Sequence, residues 1–125
     1  MAQHNIVGSD GEELAVAHPK KLGYTICQQN WRSGRYELDI VALSPDPEPM
    51  LVFVEVKTRT STNFELPEQA VDERKIRRIV HAANHYIRLY ECPQVPRFDV
   101  IGILLQHNAE PVIDHIEDAF YPPLG

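Results

Sequence analysis

Apolar and polar positions alternate along two neighbouring stretches of this chain, residues 36–43 and 50–57, and both carry charge at one end. Side chains alternate across a β-strand. Glu37 and Asp39 therefore share a face with Val41 and Leu43, and Glu55 and Lys57 share one with Leu51 and Phe53. Residues 44–49 between them hold Pro45, Asp46, Pro47 and Pro49, which form turns. The pattern predicts an antiparallel hairpin. Such pairing lays the start of the first strand beside the end of the second, so Asp39, Glu55 and Lys57 meet at one end of a sheet.

The remaining pattern supplies the rest of an α/β fold. Residues 1–7 read as a loose terminus. A helix starts within residues 8–13, with Ser9 or Asp10 as its cap, acids in its first turn, and Leu14, Ala15 and Ala17 facing inward. Pro19 predicts a kink or an end near His18, and Gly23 closes the element. Residues 24–29 read as a strand, 30–35 as a turn, 58–66 as a polar loop and 67–71 as a short turn of helix. Asp72 caps a long helix reaching about Tyr90. One stripe of it carries Ile76, Ile79, Val80, Ala83, Ile87 and Tyr90; the opposite stripe carries Arg74, Arg78, His81, His85 and Arg88. Pro93 and Pro96 interrupt the chain. Residues 98–105 are nearly continuous in apolar side chains and predict an interior strand, residues 111–119 a final edge strand, and Pro122 and Pro123 the end. With no repeat or composition break, the whole of 1–125 reads as one domain with a mixed central sheet.

Composition narrows the class. A 125-residue chain with 43% hydrophobic and 24% charged residues is an ordinary globular protein. No apolar run reaches membrane-spanning length and no leader opens the chain, so a cytoplasmic location is expected. Cys27 and Cys92 are the only cysteines and read as free thiols. The net charge of −6 argues against general nucleic-acid binding. It is unevenly spread: residues 57–97 carry eight basic and five acidic side chains, and residues 98–125 carry five acidic and no basic ones. A basic middle beside an acidic site suits phosphate on one face.

Two carboxylates brought together repel, and each is costly to desolvate. A divalent cation relieves both. Mg²⁺ takes one or two carboxylates, several waters and a substrate phosphate. A lysine beside them cannot ligate the metal, but it can steady a nucleophilic water or charge developing on phosphate. Asp39, Glu55 and Lys57 thus form a minimal kit for metal-assisted phosphodiester hydrolysis. The alternative is that Lys57 simply neutralises a solvated sheet end. Glu37 either adds a carboxylate or pairs with Arg32 or Arg35. His81 and His85, one turn apart, have zinc spacing but no third ligand, and a solvated pair is the simpler reading. The arginine stripe either meets a nucleic-acid backbone or is the wet side of the helix. Lys75 borders the two stripes and leans toward the sheet end. Trp31 and Tyr24 are candidates for base stacking or for the core.

The chain resembles the YraN family of endonuclease-like bacterial proteins, grouped with the PD-(D/E)XK nucleases of Holliday-junction-resolvase-like fold. The matching stretches are Gly8-x-x-Gly11-Glu12-x-x-Ala15, Gly23-Tyr24, Asn30-Trp31-Arg32, Glu37-Leu38-Asp39-Ile40-Val41-Ala42 and Val52-Phe53-Val54-Glu55-Val56-Lys57-Thr58-Arg59. Ala70-Val71, Lys75, Arg78, Ala82-Ala83, Tyr86-Ile87 and Arg97-Phe98-Asp99-Val100 follow in register. The resemblance implies a restriction-endonuclease-like αβββαβ core over about 8–105, with Asp39 and Glu55 as Mg²⁺ (or Mn²⁺) ligands and Lys57 as the catalytic lysine. It adds Glu12, Glu37 and Lys75 as accessory candidates, and Arg59, Arg74 and Arg78 as nucleic-acid contacts. The function implied is a metal-dependent nuclease acting on DNA, including branched or damaged forms, with a homodimer as a candidate assembly. The alternatives are a nucleic-acid-binding module without turnover and a protein-interaction domain whose acidic flanks meet a basic partner.

Overall fold

The computed structural model describes residues 3–60 and 72–121, with side chains from Gly11 onward. Helix α1 (Gln3–Lys21) leads into strands β1 (Thr25–Ser33), β2 (Tyr36–Leu43) and β3 (Leu51–Thr60); helix α2 (Glu73–Tyr90) and strands β4 (Pro96–Gln106) and β5 (Ala109–Ile116) follow. The strands lie in sequence order in one five-stranded sheet. All neighbours are antiparallel except β3 and β4, which are parallel. Parallel neighbours need a crossover, and α2 lies within it. This is the α/β fold with a mixed sheet flanked by helices that the sequence predicts, and it is consistent with a restriction-endonuclease-like architecture.

The β2–β3 hairpin is antiparallel as predicted, with Leu43 opposite Leu51 and Val41 opposite Phe53. Ser44 locks its loop. The Ser44 hydroxyl donates to Asp46 Oδ2 at 2.7 Å and accepts from the Met50 N–H at 2.8 Å.

Strand alternation divides the core between the two faces. Val41, Leu51, Phe53, Phe98 and Val100 pack with Ile79, Val80, Ala82, Ala83 and Tyr86 of α2. Ile40, Ala42, Val52, Val54, Ile101 and Ile103 pack with Ala15 of α1 and with Tyr24. A Cβ added at Gly11 would overlap the Thr58 side chain, so the missing side chain lets α1 lie close on β3.

Several boundaries differ from expectation. Helix α1 starts at Gln3, inside the expected loose terminus, and runs through Pro19. A proline in the last turn forfeits one backbone donor only. Its ring is fully buried, and its carbonyl accepts from the N–H groups of Leu22 and Tyr24 at 3.1 and 2.9 Å. Strand β1 continues through residues expected to turn. Asn30 takes a left-handed φ of 50° inside the strand, and the reversal comes only at Gly34, φ 60°. Strand β3 reaches Thr60, consuming the start of the expected loop, and β5 begins at Ala109 and ends at Ile116 rather than spanning 111–119. The rest of the 58–66 loop, the helical turn at 67–71, the side chains of Ser9 and Asp10, and Pro122 and Pro123 lie outside the described residues.

Helix α2 is capped as predicted, Asp72 Oδ1 accepting from the Lys75 N–H at 2.9 Å. Its buried stripe includes Ala82 and Tyr86, while Tyr90 is 49% exposed and accepts a hydrogen bond from Trp31 Nε1 at 3.1 Å. Trp31 and Tyr24 belong to the core.

Candidate active site

The site begins where the sheet splits. The β2–β3 ladder ends at the pair Ile40–Val54. Beyond it β2 stays with β1 as far as Tyr36, and β3 stays with β4 as far as Thr60. Asp39 and Glu55 are the first residues past the split. With no β2 carbonyl in register, the Val56 N–H donates to Asp39 Oδ2 at 2.8 Å. Strand alternation turns Asp39 and Glu55 toward α2, as it does Val41 and Phe53.

Both carboxylates line a cavity of about 630 Å³ between the fork and the first two turns of α2. Lys75, Arg78, Ile79 and His81 form its helix wall; Arg35, Tyr36 and Glu37 form its rim. Lys75 Nζ lies 2.9 Å from Glu55 Oε1. Burial pushes the Asp39 carboxyl up to about 6, and the neighbouring Glu55 adds to the shift. The Val56 hydrogen bond and the Lys75 charge oppose it, and Glu12 pushes further upward. Asp39 also borders a smaller cavity of about 150 Å³ on the α1 side, lined by Glu12, Gln29, Asn30 and Thr58 among others. Asp39 thus borders both cavities.

The predicted residues divide accordingly. Asp39, Glu55, Glu37, Lys75 and Arg78 line the larger cavity, and Glu12 lines the smaller. Lys57, two residues past Glu55 on β3 and half-buried, lines neither. Arg59 is 8% exposed, a core position rather than an open surface contact. Arg74 and Arg88 are exposed on α2. Glu37 pairs with Arg32 at 3.5 Å on the exposed β1–β2 hairpin. The histidine pair separates: His81 faces the cavity, whereas His85 stacks on Tyr36 with ring centroids 4.8 Å apart and lies 3.1 Å from the Ser33 hydroxyl. Packing against the sheet thus removes His85 from the solvated stripe.

A metal would find a limited ligand set. Among the described residues no group of three or more His, Cys, Asp or Glu gathers around one point. A cation here would take Asp39 and Glu55 and complete its shell with water, an arrangement that fits Mg²⁺ and not a closed zinc site. The upward shift at Asp39 comes first from burial and then from the neighbouring Glu55 charge.

Two features escaped the sequence pattern. Arg35 and Tyr36 enter the cavity rim because Gly34 turns the chain beside it. Far from the fork, Asp99 is fully buried and accepts from Arg97 Nε and Nη2 at 2.9 and 2.8 Å, from His115 at 2.8 Å and from the Asp118 N–H at 3.0 Å. Its signal was a charged residue at the head of a nearly apolar strand. A buried charge there requires partners, and Arg97 stands two residues away on the same face.

The profile of the Uncharacterised protein family UPF0102 matches residues 11–103. A UPF0102 protein of Bacteroides thetaiotaomicron is 50% identical over 124 residues, covering 99% of each chain. One from Porphyromonas gingivalis is 50% identical over 96% of this chain and 87% of its own. One from Flavobacterium psychrophilum is 41% identical over 97% of this chain and 98% of its own. Among the described residues no helix is long and apolar enough to cross a membrane.

Proposed function

This chain belongs to the UPF0102 (YraN) family, and from that premise we propose that it is a metal-dependent nuclease that hydrolyses DNA phosphodiester bonds, including branched or damaged DNA, in the bacterial cytoplasm. The observation that carries the reading is the forked sheet. It holds Asp39 and Glu55 against one cavity, with the Asp39 carboxyl raised to about 6 by burial and by Glu55.

Asp39 and Glu55 would hold Mg²⁺ or Mn²⁺, which supplies Lewis-acid chemistry at phosphate when bound. In the reaction, water oxygen bonds to phosphorus and the ester P–O bond breaks. The leaving oxygen takes up a proton, and the attacking water loses one. Lys75 and Arg78 on the helix wall, and Arg35 on the rim, face the cavity that a phosphate would enter. Lys57 lies two residues beyond Glu55 on β3, outside the cavity wall. The exposed Arg74 lies one residue before Lys75 and would extend the basic wall along the DNA backbone.

Two observations favour a second reading. Lys57 stands outside the cavity wall and Lys75 already neutralises Glu55. Both would suit a nucleic-acid-binding module without turnover. The variant Asp39→Asn separates the two. A nuclease loses strand scission in this variant while keeping salt-dependent DNA binding. A native chain that binds DNA and never cuts it under Mg²⁺ or Mn²⁺ is the binding module.

A further inference from the structure

We propose that Lys75 of α2 is the exchangeable cation of this site. It holds Glu55 while the divalent cation is absent and moves to a phosphate oxygen of the nucleic acid when that cation takes the carboxylates. The inference rests on the nuclease-type reading of the fork, but its tests require no turnover.

The geometry singles out Lys75 among the basic residues. Its Nζ lies 2.9 Å from Glu55 Oε1, and the Glu55 side chain is only 12% exposed. Lys57, the lysine that strand spacing nominates, is absent from the cavity wall. The Lys75 backbone is fixed, because its N–H donates to the Asp72 cap at 2.9 Å. The side chain is less restrained. It is 32% exposed, and a lysine carries three donors on a flexible four-carbon stem. A fixed root and a mobile tip describe a group that can change partners without moving the helix.

The exchange follows from charge. An ammonium and a dication cannot both sit at full strength on one carboxylate, since like charges at such distances repel. When a divalent cation binds Asp39 and Glu55, Lys75 loses the carboxylate it pairs with among the described residues. A phosphodiester brings the oxygen acceptors a lysine lacks. Arg78, three residues on and facing the same cavity, gives the phosphate a second cation one turn along the helix.

Two titrations on the full chain test the exchange. The first measures Mn²⁺ affinity without nucleic acid. Removing the competing ammonium in Lys75→Gln is expected to tighten Mn²⁺ binding roughly threefold to tenfold. The second measures the affinity for a four-way DNA junction at saturating Ca²⁺. Lys75→Gln is expected to weaken it by about threefold or more, with Lys75→Arg restoring most of the loss. A purely structural ion pair would behave differently. Its removal would leave Mn²⁺ binding unchanged or weaker, and either result overturns the proposal. Unchanged junction affinity in Ca²⁺ also overturns it, as does a native chain that binds no Mn²⁺. Both effects in Lys75→Gln, together with a native chain that cuts no DNA, would end the nuclease reading and leave the exchange standing.

Discussion

The Val56 N–H donates to Asp39 Oδ2 at 2.8 Å where the β2–β3 ladder stops. One hydrogen bond thus closes the fork and aims a carboxylate. Across the gap Glu55 is the next charge, and it adds to the burial that pushes the Asp39 carboxyl up. The Asp39 carboxylate is thus held in a strained place for an anion, chiefly by burial.

That strain has a pH signature. The folded Asp39 carboxyl sits at about 6, above its ordinary 3.8. Its contribution is fully present below 3.8 and is lost as pH rises to about 6. Metal-free protein should therefore lose on the order of 2 kcal/mol from this group between those values. Asp39→Asn keeps an acceptor for the Val56 N–H and removes the titration. In EDTA, melting curves across pH 4–7 should fall less steeply for Asp39→Asn than for the native chain. Parallel pH profiles would show that the Asp39 carboxyl is not raised in the folded chain.

Asp99 should show the opposite sign. Burial works to raise its carboxyl, but hydrogen bonds from His115, Arg97 and the Asp118 N–H outweigh it and hold the group below its ordinary value. Its stabilisation is present at neutral pH and is lost as pH falls through the lowered value. Asp99→Ala leaves Arg97 its contacts with Glu117 at 3.0 Å and the Tyr24 hydroxyl at 2.7 Å but takes the acceptor from His115 and the Asp118 N–H, and it should cost about 1–3 kcal/mol in urea denaturation. A cost below about 1 kcal/mol would mean the network is dispensable.

The fold was legible wherever one face is apolar, and less so where a single residue breaks a rule locally. Val41, Leu51 and Phe53 fix the hairpin, and with it the approach of Asp39 to Glu55. The cap at Asp72 and the α2 stripe followed from spacing. Asn30 read as a turn because its residue type favours the left-handed region, which it does adopt, but inside a strand. Pro19 read as a stop because its cost was weighed without the burial of its ring. Lys57 and Lys75 are the instructive pair. Alternation correctly puts Lys57 on the strand after Glu55, but alternation does not record where β2 leaves β3 or which helix wall faces the gap. That wall supplies Lys75 from 20 residues further along the chain.

Gly11 tests whether α1 positions the fork. Gly11→Ala puts a methyl into the Thr58 side chain and should cost about 1–3 kcal/mol. Thr58→Ala in the same chain should recover much of that, with a coupling energy above about 1 kcal/mol in a double-mutant cycle. Additive effects would mean the helix is not seated on Thr58.

Strand scission tests the central claim most directly. Linear, nicked, flapped and four-way DNA are incubated with the native chain, Glu55→Gln and Lys57→Ala, in Mg²⁺, Mn²⁺ or EDTA. The account predicts cleavage of at least one substrate by the native chain with either cation, none in EDTA, a loss of about 100-fold or more in Glu55→Gln, and slower cleavage in Lys57→Ala. Cleavage that persists undiminished in Glu55→Gln, or a native chain inert on every substrate with both cations, would contradict it.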